Sequence, residues 1–329
     1  MTHQAIYMRR FQFILLTLAL CGSLSLTAAD NGEANATQKA VLVTGANSGL
    51  GLKMTQQLSQ NGFYVYAGVL HKNEMAAMNK MDNVTAVQFD VRSQTEINAA
   101  VTFVKLQGRG LYGLINNAGV NVFGPVLEVP VEQLHYQMDV NVYGVVRVTQ
   151  AFAPLIIESK GRIATTGSVA GIVTIPVFGA YSMSKHAIEA YTDTLATEMA
   201  RFDVSVHIIE PSTYKSNIGV AAKKLMDDDN YWTEDTAYPQ ERAYLLDALT
   251  KMDLQPDPDP VGKAALHAMH SDAPKSRYLV IETVAQADRV IRRQLSKMLE
   301  LNDGQTHEFN RARLIKILDE EIAKRSSSK

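Results

Sequence analysis

The amino-acid sequence specifies an α/β protein: one doubly wound parallel sheet in a single domain, preceded by a targeting segment and followed by a helical extension. Short apolar runs recur at 40–43, 63–69, 84–89, 111–116, 161–165 and 204–210, each separated from the next by a stretch long enough for a helix. Such alternation builds a parallel sheet, because a parallel neighbour needs a crossover connection and helices then cover both faces. With 329 residues and 46% hydrophobic content, the chain can bury the core of one large domain with appendages.

The first element stands apart from the sheet. Arg9 and Arg10 precede an apolar run at 11–20 that continues through Leu24 and Leu26 to the small residues Thr27, Ala28 and Ala29. A basic region, an apolar stretch and a small-residue site make residues 1–29 a secretory signal peptide. The span 11–29 also approaches the length of a membrane anchor. Lipid attachment at Cys21 is the third reading, opposed by the bulky Leu20 before it. The two main readings place the protein at a membrane or beyond it, without excluding a cytoplasmic body. Residues 30–38 follow as a polar linker, and with Cys21 the only cysteine, the body has neither a disulfide nor a thiolate metal site.

The run at 40–43 leads into Thr44-Gly45-Ala46-Asn47-Ser48-Gly49-Leu50-Gly51 and then a helical pattern through Leu58. A buried strand, a glycine-rich turn and a helix start aim backbone N–H groups and a positive dipole end at a pyrophosphate. Gly45, Gly49 and Gly51 leave out the side chains that would block its approach. Far downstream, Tyr181 and Lys185 stand at i and i+4 in a segment that reads as helix, so both converge from one face on a single substrate atom. A phenol titrates near ~10 in water, and a fixed cation beside it favours the phenolate, which turns a tyrosine into a general acid/base.

Together with Asp90-Val91, Asn116-Asn117-Ala118-Gly119, Asn141 and Ser168, these motifs resemble the classical branch of the short-chain dehydrogenase/reductase family, in the family's order, over residues 39–217. The Asn-Asn-Ala-Gly block separates the chain from the extended relatives that act on nucleotide sugars. Residues 63–68 and 110–119 look most like the retinol, hydroxysteroid and 3-hydroxybutyrate dehydrogenases. The resemblance implies a Rossmann-type domain over 39–286 that binds NAD or NADP and moves a hydride between nicotinamide and an alcohol or carbonyl substrate. It implies that Ser168 and Tyr181 hold the substrate oxygen, that Tyr181 exchanges the proton, that Lys185 depresses the phenol and binds the nicotinamide ribose, and that Asn141 holds a relay water. Gly45, Asn47, Ser48, Gly49, Leu50 and Gly51 would cradle the pyrophosphate. Asp90 and Val91 would lie against the adenine, Asn117, Ala118 and Gly119 near the adenosine ribose, and Pro211 and Ser216 at the nicotinamide end.

The chain departs from the family pattern in two places. Val69 and Leu70 end the second strand where the family has an acid for NAD or an arginine for NADP, and the basic His71 and Lys72 just beyond tilt the expectation slightly to NADP. Ser212 stands where the family has glycine, adding a Cβ where the backbone passes close to the nicotinamide.

Residues 214–260 are the expected substrate lid. Leu225, Met226, Tyr231, Trp232, Tyr238 and Tyr244 there point either to a hydrophobic substrate, such as a retinoid, steroid or lipid-derived ketone, or to packing of the lid on the body. His267 and His270 have no carboxylate or thiol partner nearby in sequence, so no metal site is expected. Residues 287–329 form an amphipathic extension suited to capping the cleft, pairing with a second subunit or touching a membrane. Charge is nearly balanced, 32 basic against 34 acidic side chains, which gives no reason for a nucleic-acid partner. A second functional reading is a non-catalytic nucleotide-binding sensor or scaffold on the same fold, favoured by Ser212 and the targeting segment. The retained Tyr181 speaks for the enzyme.

Overall fold

Seven strands assemble one all-parallel sheet in this computed structural model, which describes residues 38–327: Ala40–Thr44 (β1), Tyr64–Val69 (β2), Val84–Gln88 (β3), Gly113–Asn116 (β4), Arg162–Thr166 (β5), Ser205–Pro211 (β6) and Arg277–Val280 (β7). Their spatial order is β3-β2-β1-β4-β5-β6-β7. The chain winds outward from β1 through β2 to β3, then crosses to β4 and winds the other way. The connections therefore diverge between β1 and β4, and such a divergence opens a crevice at the carboxyl ends of the strands.

The helices are Gly49–Gln60 (α1), Met75–Met78 (α2), Gln94–Leu106 (α3), Val131–Met138 (α4), Gly144–Glu158 (α5), Gly179–Met199 (α6), Ile218–Asp228 (α7), Pro239–Thr250 (α8), Asp259–His270 (α9), Val284–Asn302 (α10) and Arg311–Ser327 (α11). Alternation along β1 explains the layering. Val41 and Val43 face one side, packed with Met54 and Leu58 of α1 and Val261, Ala265 and Met269 of α9. Ala40 and Leu42 face the other, packed with Ile97 and Val104 of α3 and Phe152 and Ile156 of α5. All five β1 residues are buried, which is why the run reads as continuously apolar rather than alternating. α4 and α5 are joined by a wide π turn, Asp139–Tyr143. The continuous run Val131–Glu158 is long and apolar enough to cross a bilayer, yet 56% of its apolar window is buried within the protein, as suits a helix covering the sheet.

The sequence-based strand positions agree with the sheet to within a residue or two at most ends, and β7 is an addition to them. With burial running exposed, buried, exposed, intermediate, the four residues of β7 carry too weak an apolar pattern to be read as a strand. The extension expected from 287 begins at Val284, where Thr283 caps α10 through its side chain and Gln286 reciprocates. Residues 1–37, which hold the signal-or-anchor segment, Cys21 and nearly all of the polar linker, lie outside the described residues.

Within residues 214–260, α7 and α8 pack on a cluster of Phe123, Val177, Met226, Trp232 and Leu245. Trp232 is 2% exposed and its indole N–H donates to Thr236 Oγ1 at 3.0 Å. Thr236 in turn donates to Glu128, whose other oxygen accepts from the Ala237 N–H at 2.9 Å. Of the two readings of the lid aromatics, packing holds for Trp232 and Met226, whereas Tyr244 faces solvent.

Candidate active site

The expected site residues follow the carboxyl ends of adjacent strands. Gly45 to Gly51 follow β1, Asn117 to Gly119 follow β4, Ser168 follows β5, and Pro211 closes β6. The cofactor loop turns through Gly45 and Gly49 at φ +62° and +51°, a conformation that side-chain-bearing residues rarely adopt. A Cβ at Gly45 would stand 3.0 Å from Ala118 Cα, and one at Gly49 would stand 2.9 Å from Ser216 Cβ. Ser216 therefore closes over the loop from the far side of the cleft. A Cβ at Gly51 would lie 2.1 Å from the Gly45 carbonyl oxygen and 2.5 Å from Asn117 Nδ2, so this glycine clears space for the packing of the loop itself.

Ser48 precedes α1 without a side-chain capping bond, which leaves the first N–H groups of the helix to a ligand. An open helix start behind glycines that cannot carry side chains fits a pyrophosphate. Leu50 is half-buried against the apolar layer beside α1.

Asn117 proves to be a strut. Its amide donates to the carbonyls of Thr44 and Gly45 at 3.0 and 3.2 Å, and its oxygen accepts from Thr166 Oγ1 at 3.2 Å. Thr44 Oγ1 accepts from the N–H groups of both Asn117 and Ala118 at 2.9 Å. The side chain of Asn117 is committed to the protein, and Ala118 and Gly119 are left to line the cleft. Asp90 is likewise engaged. Although burial alone would raise its pKa, hydrogen bonds from Arg92, through its backbone N–H at 2.8 Å and Nη2 at 2.6 Å, hold the carboxyl below its ordinary value. Val91 is buried beside Gly144.

Asn141 sits in the π turn, 2% exposed. Its oxygen accepts from the Val120 N–H at 2.8 Å, and its amide donates to the Val120 carbonyl at 3.0 Å and to Ser184 Oγ at 3.2 Å. Both amide hydrogens of Asn141 are thereby committed to the protein, and its oxygen, which accepts one bond, keeps a lone pair.

Ser168 and Tyr181 are hydrogen-bonded through their side chains. Ser168 Oγ also accepts from the Ala170 N–H at 3.1 Å, which fixes its rotamer toward the cleft. Lys185 is 6% exposed, donates to the Thr166 carbonyl at 2.6 Å, and places Nζ 5.5 Å from the centre of the Tyr181 ring. Burial pushes the Tyr181 phenol up to about 12, against the lowering effect of Ser168. Burial also pushes Lys185 down to about 8, against the raising effect of Glu189. In this geometry burial and Ser168 set the phenol, and the ammonium is aimed at the Thr166 carbonyl.

Ser212 does not adopt a positive φ, and its N–H donates to Val280 O at 2.9 Å. Its backbone needs no glycine. Sequence reasoning missed Thr44 and Thr166 as supports, because their partners lie on other strands. It also missed a charged cluster in which Arg277 of β7 bonds Glu189 and Asp193 of α6 and Glu210 of β6. Among the described residues no group of His, Cys, Asp and Glu side chains is arranged to hold a metal.

Residues 39–226 match the family model described as short chain dehydrogenase. D-β-hydroxybutyrate dehydrogenase of Mus musculus, a mitochondrial protein, is 32% identical over 266 residues, 74% of this chain and 77% of that one. Estradiol 17-beta-dehydrogenase 2 of Rattus norvegicus is 31% identical over 284 residues, 80% of this chain and 74% of that one. The fold is shared with a short-chain dehydrogenase/reductase of Burkholderia phymatum solved with NAD, at TM-score 0.68 and 22% identity, covering 81% of this chain and 96% of that one. The match across the catalytic body, with relatives of this length and kind, makes the chain a member of the short-chain dehydrogenase family and an NAD(P)-dependent dehydrogenase of the hydroxybutyrate and hydroxysteroid branch.

Proposed function

We propose that this dehydrogenase interconverts a secondary alcohol and its ketone, or a primary alcohol and its aldehyde, on a hydrophobic substrate. The hydrogen bond between Ser168 and Tyr181, with the Lys185 ammonium fixed below by Thr166, carries the reading. Bound NAD(P) supplies the hydride acceptor in oxidation and the donor in reduction. Ser168 and Tyr181 take the substrate oxygen between their hydroxyls, and Tyr181 gives or removes the proton there. Ser168 keeps the oxygen in line while the phenol acts. Lys185 holds positive charge beneath the phenol as negative charge develops on it, and Asn141 contributes by tying the Val120 backbone to Ser184 of the tyrosine helix.

An open groove of about 510 Å³ beside α6, lined by Val126, Ile175, Pro176, Val177 and Met183 among others, supports an apolar substrate. One relative is named for a small hydroxy acid and the other for a steroid, and this lining favours the steroid-like end of that range. Membrane association through residues 1–29 is part of the same proposal, since an apolar substrate partitions into lipid. Ser212 holds an ordinary backbone conformation, and the retained Tyr181 favours the enzyme over the sensor or scaffold reading.

Tyr181→Phe tests the assignment. It should retain cofactor binding and the unfolding midpoint and lose turnover by at least ~100-fold. Near-normal turnover in a folded variant would remove Tyr181 from the mechanism.

A further inference from the structure

One carboxylate beside the cofactor loop has no part in the core or in the roles above. Glu74 ends the 3-10 turn Lys72–Glu74 shortly after β2 and is half-buried. Its Oε1 accepts from Nδ2 of Asn47 in the cofactor loop at 2.8 Å, and its Oε2 accepts from the His71 N–H at 2.9 Å. β1 and β2 are parallel neighbours with Thr44 opposite Gly68, so the loop after β1 and the turn after β2 flank one notch at the carboxyl edge of the sheet. The Glu74 carboxylate spans that notch. In doubly wound sheets the adenosine ribose lies there, and an acid accepts from its 2′-hydroxyl. Val69 and Leu70 at the end of β2 supply no such acid.

We propose that Glu74 selects the cofactor: its carboxylate receives the ribose 2′-hydroxyl of NAD and rejects the 2′-phosphate of NADP. Both groups that hold Glu74 are neutral donors, so its charge stays unneutralised, and carboxylate oxygens that each accept one bond keep lone pairs for a hydroxyl. A phosphate would bring further negative charge against it. The basic residues that tilt the sequence toward NADP are placed otherwise. The Glu74 N–H donates to the His71 carbonyl at 3.0 Å and closes the turn, and Lys72 opens the same turn on its exposed side. Asn47 has a new role as well, since it orients the selecting carboxylate from the loop that carries the pyrophosphate.

The inference rests on the glycine loop being the cofactor site, and the test separates the two. NADH and NADPH binding to the purified full-length protein is followed by nicotinamide fluorescence, for the wild type and for Glu74→Gln, which keeps the shape and the capping bond without the charge. The wild type should bind NADH at least ~30-fold more tightly than NADPH, and Glu74→Gln should bring the two within ~3-fold, mainly by tightening NADPH. A wild type that prefers NADPH, or a ratio that Glu74→Gln leaves unchanged, overturns the role of Glu74 while the loop assignment stands. Failure to bind either cofactor overturns both.

Discussion

Lys185 is buried at a site where a lysine is costly, and the cost can be read from pH. Its pKa is lowered in the fold to about 8 from 10.5, so the stability it contributes is fully present above its ordinary range and lost as pH falls through about 8. Lys185→Met, which removes the titration, should therefore lose stability relative to the wild type as pH rises from 7 to 10.5, by up to ~3 kcal/mol. Denaturant unfolding across that range checks this, and a pH-independent difference would mean that the ammonium is better solvated than its surroundings indicate. At this scale the sequence displays the groups proposed to react and hides their supports. Tyr181 and Lys185 are legible because one helix turn brings them together. Thr166, which aims the lysine, and Asn47, which aims Glu74, act across strands, and no spacing along the chain announces such a relation.

The cofactor loop shows the same limit for an element. Its strand, turn and helix are local and readable, whereas the positive φ of Gly45 and Gly49 emerges only in the structure. Of the two close contacts at Gly51, the one with the Gly45 carbonyl is local, but the one with Asn117 arrives only when β4 pairs beside β1. Gly51→Ala should destabilise the protein by ~1–3 kcal/mol through overpacking of α1 against the strands. Urea unfolding of the cofactor-free protein tests it, because a glycine needed only for ligand approach would leave that stability unchanged. The π turn at Asp139–Tyr143 was beyond reach for a related reason: a helix widens by one residue to suit Val120 and Ser184, and neither lies within its own stretch of sequence. β7 was missed because a short edge strand with exposed faces lacks the apolar run that marks an interior one.

Across the whole molecule, the alternation of strand-like and helix-like segments was sufficient to give a doubly wound sheet, while its far edge settles an electrostatic problem that no single segment displays. Burial and the neighbouring Glu189 carboxylate hold the Glu210 carboxyl above its ordinary range, and Arg277 offsets this only in part. A raised folded-state pKa contributes stability that is present below the ordinary carboxylate range and lost as pH rises through the raised value. Arg277→Met should thus cost more at pH 8 than at pH 5. Because the arginine side chain is 40% exposed, solvent screening limits the difference to ~2 kcal/mol. Thermal unfolding at the two pH values checks it, and an equal loss at both would show that Arg277 acts through packing alone.

The position of Arg277 in the last strand has a further consequence for how the protein is made. Glu189 and Glu210 leave the ribosome well before their counter-charge does, so a nascent chain that has already formed the reacting end of its sheet holds two facing acids with nothing between them. The outer edge of β6 stays unpaired over the same interval. Closure of that edge and neutralisation of the acids then come in one event, when a few residues near 277 emerge. A chain cut short just before them would keep every catalytic motif and still be a substrate for chaperones and proteases rather than an enzyme.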